Sequence, residues 1–213
     1  MPDSYRPDEL KHITDLEQVR ERPKLYFGNL DAPTIPNCLA RESFCLAIDQ
    51  IVADSCTRMT TDFTSDGFVS VTHNGTPLGI ENDSRFPDMS EMQAVAEIMG
   101  FCAEHAASDY VHSNVCKTGM TALNALCERF ELHNYRDGKH YLLAYNRGER
   151  VSTMQPFGPT DSCGVTVRFK PDDRMVRHTK FDAPRLQQWF ASIPIDTSRV
   201  EIQLNDHRDS NSR

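Results

Sequence analysis

Asn37-Cys-Leu-Ala-Arg-Glu-Ser-Phe-Cys-Leu-Ala-Ile-Asp-Gln-Ile-Val-Ala-Asp-Ser-Cys56 contains neither glycine nor proline. Leu39, Phe44, Cys45, Ile48, Ile51 and Val52 recur in it at three- and four-residue spacing, the pattern of an amphipathic helix. Asn37 is a suitable N-cap for that helix. Glu42, Leu46 and Asp49 stand one and two turns apart and share a face. Two carboxylates flanking a leucine ordinarily belong to a solvated face. Set in a concave site, they would be candidates for proton transfer.

Upstream, residues 1–15 read as an arm with a first helical turn. Leu16 to Glu21 is a short helix stopped by Pro23, and Lys24 to Gly28 an extended segment closed by a glycine. Downstream, Thr57–Thr64 and Gly67–Thr72 are strands joined by an Asp66-Gly67 turn. A loop bearing Gly75, Pro77 and Gly79 follows His73, and in α/β proteins ligands sit at such strand ends. Met89 to Glu104 reads as a helix with a Ser90/Gln93 capping box. Residues 105–117 form a long polar connection of the kind used as a lid. A helix starts at Thr118, where backbone N–H groups can hold an anion. Two strands then flank Asp137-Gly138, and shorter candidates lie at Glu149–Met154 and Gly164–Lys170. A helix at Ala183–Ser192 and a strand at Val200–Asn205 complete the order, with 206–213 as a polar tail. The expected architecture is a single α+β domain, 1–213: a two-layer sandwich whose mixed, largely antiparallel sheet is covered by helices on one face.

Composition narrows the function classes. The chain of 213 residues carries a net charge of −8, which argues against a nucleic-acid surface. No apolar run approaches the roughly 20 residues of a membrane span. Seven cysteines without a CxxC pair, and a polar acidic N-terminus, predict reduced thiols in a cytoplasmic protein and no metal site.

In this order of elements, five segments resemble the N-terminal ATPase domain of the DNA gyrase B subunit and its topoisomerase IV relatives, the fold also found in Hsp90, MutL and histidine kinases. Val19-Arg-Glu-Arg-Pro-Lys-Leu-Tyr-Phe-Gly28 is similar to the family's V-R-x-R-P-x-M-Y-I-G. Ala47-Ile-Asp49 is similar to part of N-x-I-D-E, and Val69 to Gly75 to the strand leading into D-x-G-x-G. Thr118 to Leu126 is similar to G-V-G-x-x-V-V-N-A-L, and Gly164 to Asp172 to G-T-x-V-x-F-x-P-D. Tyr5 stands where the family's dimerisation arm has a tyrosine, which implies a possible homodimer. The chain is expected to lack the transducer and DNA-cleaving domains.

The resemblance implies the old site residues and also their loss. Glu42 stands in the place of the glutamate that activates water. Leu46 replaces the asparagine that ligates Mg²⁺, and a hydrocarbon side chain offers a hard cation no oxygen. His73 replaces the aspartate that accepts the adenine amino proton. Gly75 is kept, but Pro77 replaces the next glycine and Val165 the supporting threonine. The lid keeps Gly119 and substitutes Cys116 and Lys117 nearby, losing the glycine turns that cradle phosphate. Arg136, at the end of the strand before the second turn, is grouped with this pocket. Neither ATP nor Mg²⁺ is therefore expected as a cofactor. Three functions stay open: a pocket re-used for another small molecule, with Glu42, Asp49 and His73 as acid–base groups; a pseudo-ATPase binding module that docks on gyrase or another partner; and a weak ATP binder.

Overall fold

The computed structural model describes residues 13–101 and 117–208. Seven helices and ten strands are assigned among them: α1 Asp15–Glu21, α2 Lys24–Phe27, α3 Ile35–Ser43, α4 Cys45–Val52, β1 Arg58–Phe63, β2 Val69–His73, β3 Asn82–Asp83, β4 Phe86–Ser90, α5 Glu91–Glu97, α6 Gly119–Ala125, β5 Cys127–Arg136, β6 Lys139–Asn146, β7 Glu149–Arg150, β8 Pro156–Pro159, β9 Gly164–Pro171, α7 Ala183–Ala191 and β10 Glu201–Asp206. The main sheet runs β10-β1-β2-β9-β5-β6-β7, with β8 on β6. Among the described residues only the β1–β10 pair is parallel. This is the mixed, largely antiparallel α+β sheet expected of a gyrase B-type ATPase fold.

Alternation along the strands makes the two faces different. Val69, Val71 and His73 of β2, Val165, Val167 and Phe169 of β9, and Phe130, Leu132 and Asn134 of β5 are buried. Helices α3, α4 and α5 lie against β9, β2 and β5. The opposite face is only half-covered and carries its own side-chain ladder. There His133 and His140 stack at 5.1 Å, Tyr135 stacks on His140 at 4.7 Å, and Arg168 lies 3.5 Å above the Phe68 ring. Between α3 and α7, Phe44 packs 5.8 Å from Trp189 and 5.6 Å from Phe190.

The hairpins form where the turn chemistry asks for them. Asp137 and Gly138 take φ of 53° and 73° between the paired residues Arg136 and Lys139, the two positive angles that a tight two-residue hairpin needs. The Ser90 capping box is present, with Gln93 returning to the Ser90 N–H at 2.9 Å.

Several expectations are corrected. The Asn37–Cys56 helix starts earlier, at Ile35, and is broken at Phe44 into α3 and α4. Pro36 in the first turn pre-sets the helical φ. Asn37 is therefore not the cap; its amide is spent on both backbone groups of Asp182, each at 2.9 Å. At the break the Ser43 hydroxyl donates to the Ala40 carbonyl at 2.6 Å, and the Phe44 N–H turns back to Arg41 at 3.2 Å. Such back-bonding of a serine competes with the helical ladder. Lys24–Phe27 is a helical turn, not an extended segment, because Pro23 sits at αR angles and its carbonyl accepts from Tyr26 and Phe27. Helix α5 stops at Glu97, and β5 begins at Cys127 straight after α6. The β3–β4 ribbon and β8 were not expected at all. Strand β7 is two residues long, shorter than the Glu149–Met154 run. Cys45 is disulfide-bonded, so the reduced-thiol reading fails for it, while Cys38, Cys56, Cys127 and Cys163 are free.

One glycine fixes how β9 enters the sheet. Gly164 has φ +108°, and a Cβ there would lie 1.9 Å from the His73 carbonyl oxygen. Both the angle and the contact exclude a side chain. Gly164→Ala is expected to lower the unfolding free energy by at least about 2 kcal/mol, read as a fall in the urea midpoint.

Candidate functional site

The shared face of Glu42, Leu46 and Asp49 is not solvated. Their exposures are 4%, 7% and 2%, because both halves of the broken helix turn that face inward. Burying carboxylates is costly unless they are bonded or protonated.

Glu42 is bonded. One oxygen accepts from the Lys117 N–H at 3.3 Å. The other accepts from Thr118 at 3.2 Å and from Gly119 at 2.9 Å. The anion-holding amides expected at the start of α6 thus hold a carboxylate of the chain itself. Gly119 permits this with φ +81°. Burial pushes the Glu42 pKa above its ordinary 4.5, opposed by those three N–H groups. Asp49 is pushed by burial from 3.8 to about 7. Leu46, between them, presents hydrocarbon.

His73 ends β2. Its Nδ1 accepts the Gly75 N–H at 3.2 Å, and its Nε2 is buried with no hydrogen-bond partner among the described residues. Burial lowers its pKa from 6.5 to about 4, so the ring is neutral at pH 7. Val165 stands opposite it in β9.

The loop after His73 is pinned by three polar side chains that the sequence reading missed. Gln50 accepts the Thr76 N–H at 2.9 Å. Asn134 exchanges both amide bonds with Leu78 at 3.0 Å. Glu91 accepts the Gly79 N–H at 2.6 Å. Pro77, which has no N–H to offer, falls between two anchored residues. Gly75 is required by proximity, since a Cβ there would lie 2.7 Å from Gln50 Cβ. Arg136 does reach this loop, with a guanidinium nitrogen 3.4 Å from the Leu78 carbonyl and Nε 3.1 Å from Asp137. The only sequence signal for Gln50 and Asn134 was a polar residue where the period requires a buried one.

The structure therefore joins Glu42 to the backbone of Lys117 and Gly119, His73 to Gly75 and Val165, and Arg136 to the Pro77 loop. The Lys117 residue itself is exposed. Cys116 and Tyr5 lie outside the described residues. Among the described residues, no group of three or more His, Cys, Asp or Glu is arranged to hold a metal, and no helix is long and apolar enough to cross a membrane.

This sheet, with α3, α4 and α5 against β9, β2 and β5, has the gyrase B-type ATPase fold. Comparison with known proteins agrees. The chain is 28% identical to the B subunit of DNA topoisomerase 4 from Caulobacter vibrioides, over 90% of its own length and 28% of that protein. It is 27% identical to the DNA gyrase B subunit of Thermotoga maritima, over 96% of the chain and 32% of the relative. The gyrase B subunit of Haloferax volcanii is 27% identical over 98% and 33%. No protein-family model matches. The chain is thus a homologue of the gyrase B and topoisomerase IV B subunits, and it spans about a third or less of their length.

The buried Asp49 makes stability fall with rising pH. Its folded pKa lies above its unfolded one, so the native state holds the proton longer. Its destabilising effect is absent below about pH 4 and complete above about pH 7. Asp49→Asn is expected to be more stable than the parent at pH 8, by an amount on the order of 2–4 kcal/mol. The difference shrinks towards pH 4, as urea unfolding at a series of pH values would show.

Proposed function

We propose that this chain is a gyrase B-like domain whose nucleotide pocket no longer works on Mg-ATP and takes a different small molecule. Glu42, Asp49 and His73 are the acid–base groups available to it. The observation that carries this reading is the seat of the Glu42 carboxylate on the amides of Lys117, Thr118 and Gly119. A phosphate group would have to displace that carboxylate, and like charges in a shared dry site repel. Leu46 adds to it by removing the oxygen that a Mg²⁺ ion bridging phosphates needs. No catalytic step is therefore routed through ATP or the metal.

In the proposed site, Asp49 is half-ionised near neutral pH and can both give and take a proton, the condition for efficient general acid–base work. His73 at neutral pH is an uncharged donor, suited to polarising a carbonyl. A specific observation favours a second reading, a binding module without chemistry. The three hydrogen bonds that the Glu42 carboxylate accepts oppose the upward push of burial on its pKa and give the side chain a structural employment.

A thermal-shift titration separates these from a retained ATPase. The melting temperature is expected to stay unchanged with saturating Mg-ATP or ADP, and no phosphate is released. A Mg-dependent rise that saturates with ATP would contradict the proposal, because any ligand of the native state must stabilise it.

A further inference from the structure

We propose that the outer face of the sheet carries a second small-molecule site, for a zwitterion of the free α-amino acid class, with Arg58 taking its carboxylate and Asp161 its ammonium group. The site lies on the side of the sheet away from Glu42, and it does not depend on what the Glu42 side binds.

A cavity of about 620 Å³ opens between the loop at 161–163 and the outer face of β1, β2, β5 and β9. That volume falls in the range of small-molecule sites. Its floor is a cross-strand row of hydroxyls. Thr60 pairs in register with Thr72, and Thr72 with Thr166, while Met59, Val71 and Val167 alternate with them into the core. The Thr72 and Thr166 hydroxyls share a hydrogen bond at 2.9 Å. Tyr135, stacked on His140 at 4.7 Å, supplies an aromatic wall.

Among the described residues that line this cavity, Arg58 and Asp161 are the charged pair, and neither is in an ion pair with a described residue. Both stand on anchored backbone. The Asn74 side-chain oxygen accepts the Thr57 and Arg58 N–H groups at 3.0 and 2.8 Å. On the loop, the Thr160 N–H donates to the Gly138 carbonyl at 3.0 Å, and the Thr160 hydroxyl accepts from the Ser162 N–H at 3.0 Å. The cavity thus holds two separate, opposite charges in fixed places and no net charge. A simple anion or cation would meet one partner and one like charge, whereas a zwitterion satisfies both. Hydroxyls that donate and accept suit the remaining polar surface of such a ligand.

Ligand-observed NMR of the full chain with each of the standard free α-amino acids tests this. At least one is expected to bind with a Kd of about 1 mM or tighter. Its N-acetyl and its amide derivatives, each lacking one charge, should bind about tenfold more weakly. Arg58→Gln and Asp161→Asn, both at exposed positions, should each cause a loss of the same size. Cys163 is a free, exposed thiol in the cavity wall, so the bound amino acid should slow its alkylation relative to Cys38, as peptide mass spectrometry reads. No binding at about 10 mM, or derivatives that bind as well as the parent amino acid, overturns the inference. Binding that neither substitution weakens, or that leaves Cys163 unprotected, also overturns it and places the ligand elsewhere, with the reading of the Glu42 side intact.

Discussion

The Glu42 carboxylate on the amides of Lys117, Thr118 and Gly119 is the contact around which the helical layer closes. It ties α3 to the start of α6, and α6 in turn leads directly into β5 at the middle of the sheet. A buried charge of this kind is tolerated only because backbone dipoles surround it. The same contact decides chemistry. The amides that could hold an incoming anion already hold the Glu42 carboxylate, so in the proposed function the contact that closes the helical layer is also the one that would exclude a phosphate.

The second constraint is the crossing of β2 and β9. Gly164 passes so close to the His73 carbonyl that only hydrogen fits. That places Val165 opposite His73 and sets the imidazole between two apolar neighbours. From there the loop carrying Gly75 and Pro77 is held by Gln50, Asn134 and Glu91 from three different elements.

Much of the fold was legible in the residues. Asp66-Gly67 and Asp137-Gly138 announced hairpins because few other pairs adopt the required angles, and Ser90 with Gln93 announced a helix start. What the sequence could not show was tertiary. Lys24 to Phe27 carries β-favouring aromatics, yet Pro23 launches a helical turn there. Asn37 has the chemistry of a cap, yet its partner is Asp182, distant in the chain. Glu42 and Asp49 looked like a wetted face because burial of a carboxylate depends on amides and apolar walls supplied from elsewhere. The candidate site was legible as positions, His73, Glu42 and Leu46 among them, but not as bonds. The roles of Gln50 and Asn134 cannot be seen without coordinates.

The account turns on whether Glu42 yields its place to a nucleotide phosphate. A crystal structure grown with Mg²⁺ and a non-hydrolysable ATP analogue at saturating concentration measures this directly. The account predicts the Glu42 carboxylate still bonded to the three amides, with neither phosphate nor cation beside Leu46. A phosphate seated on those amides, Glu42 swung aside and a cation held by protein oxygens would contradict it.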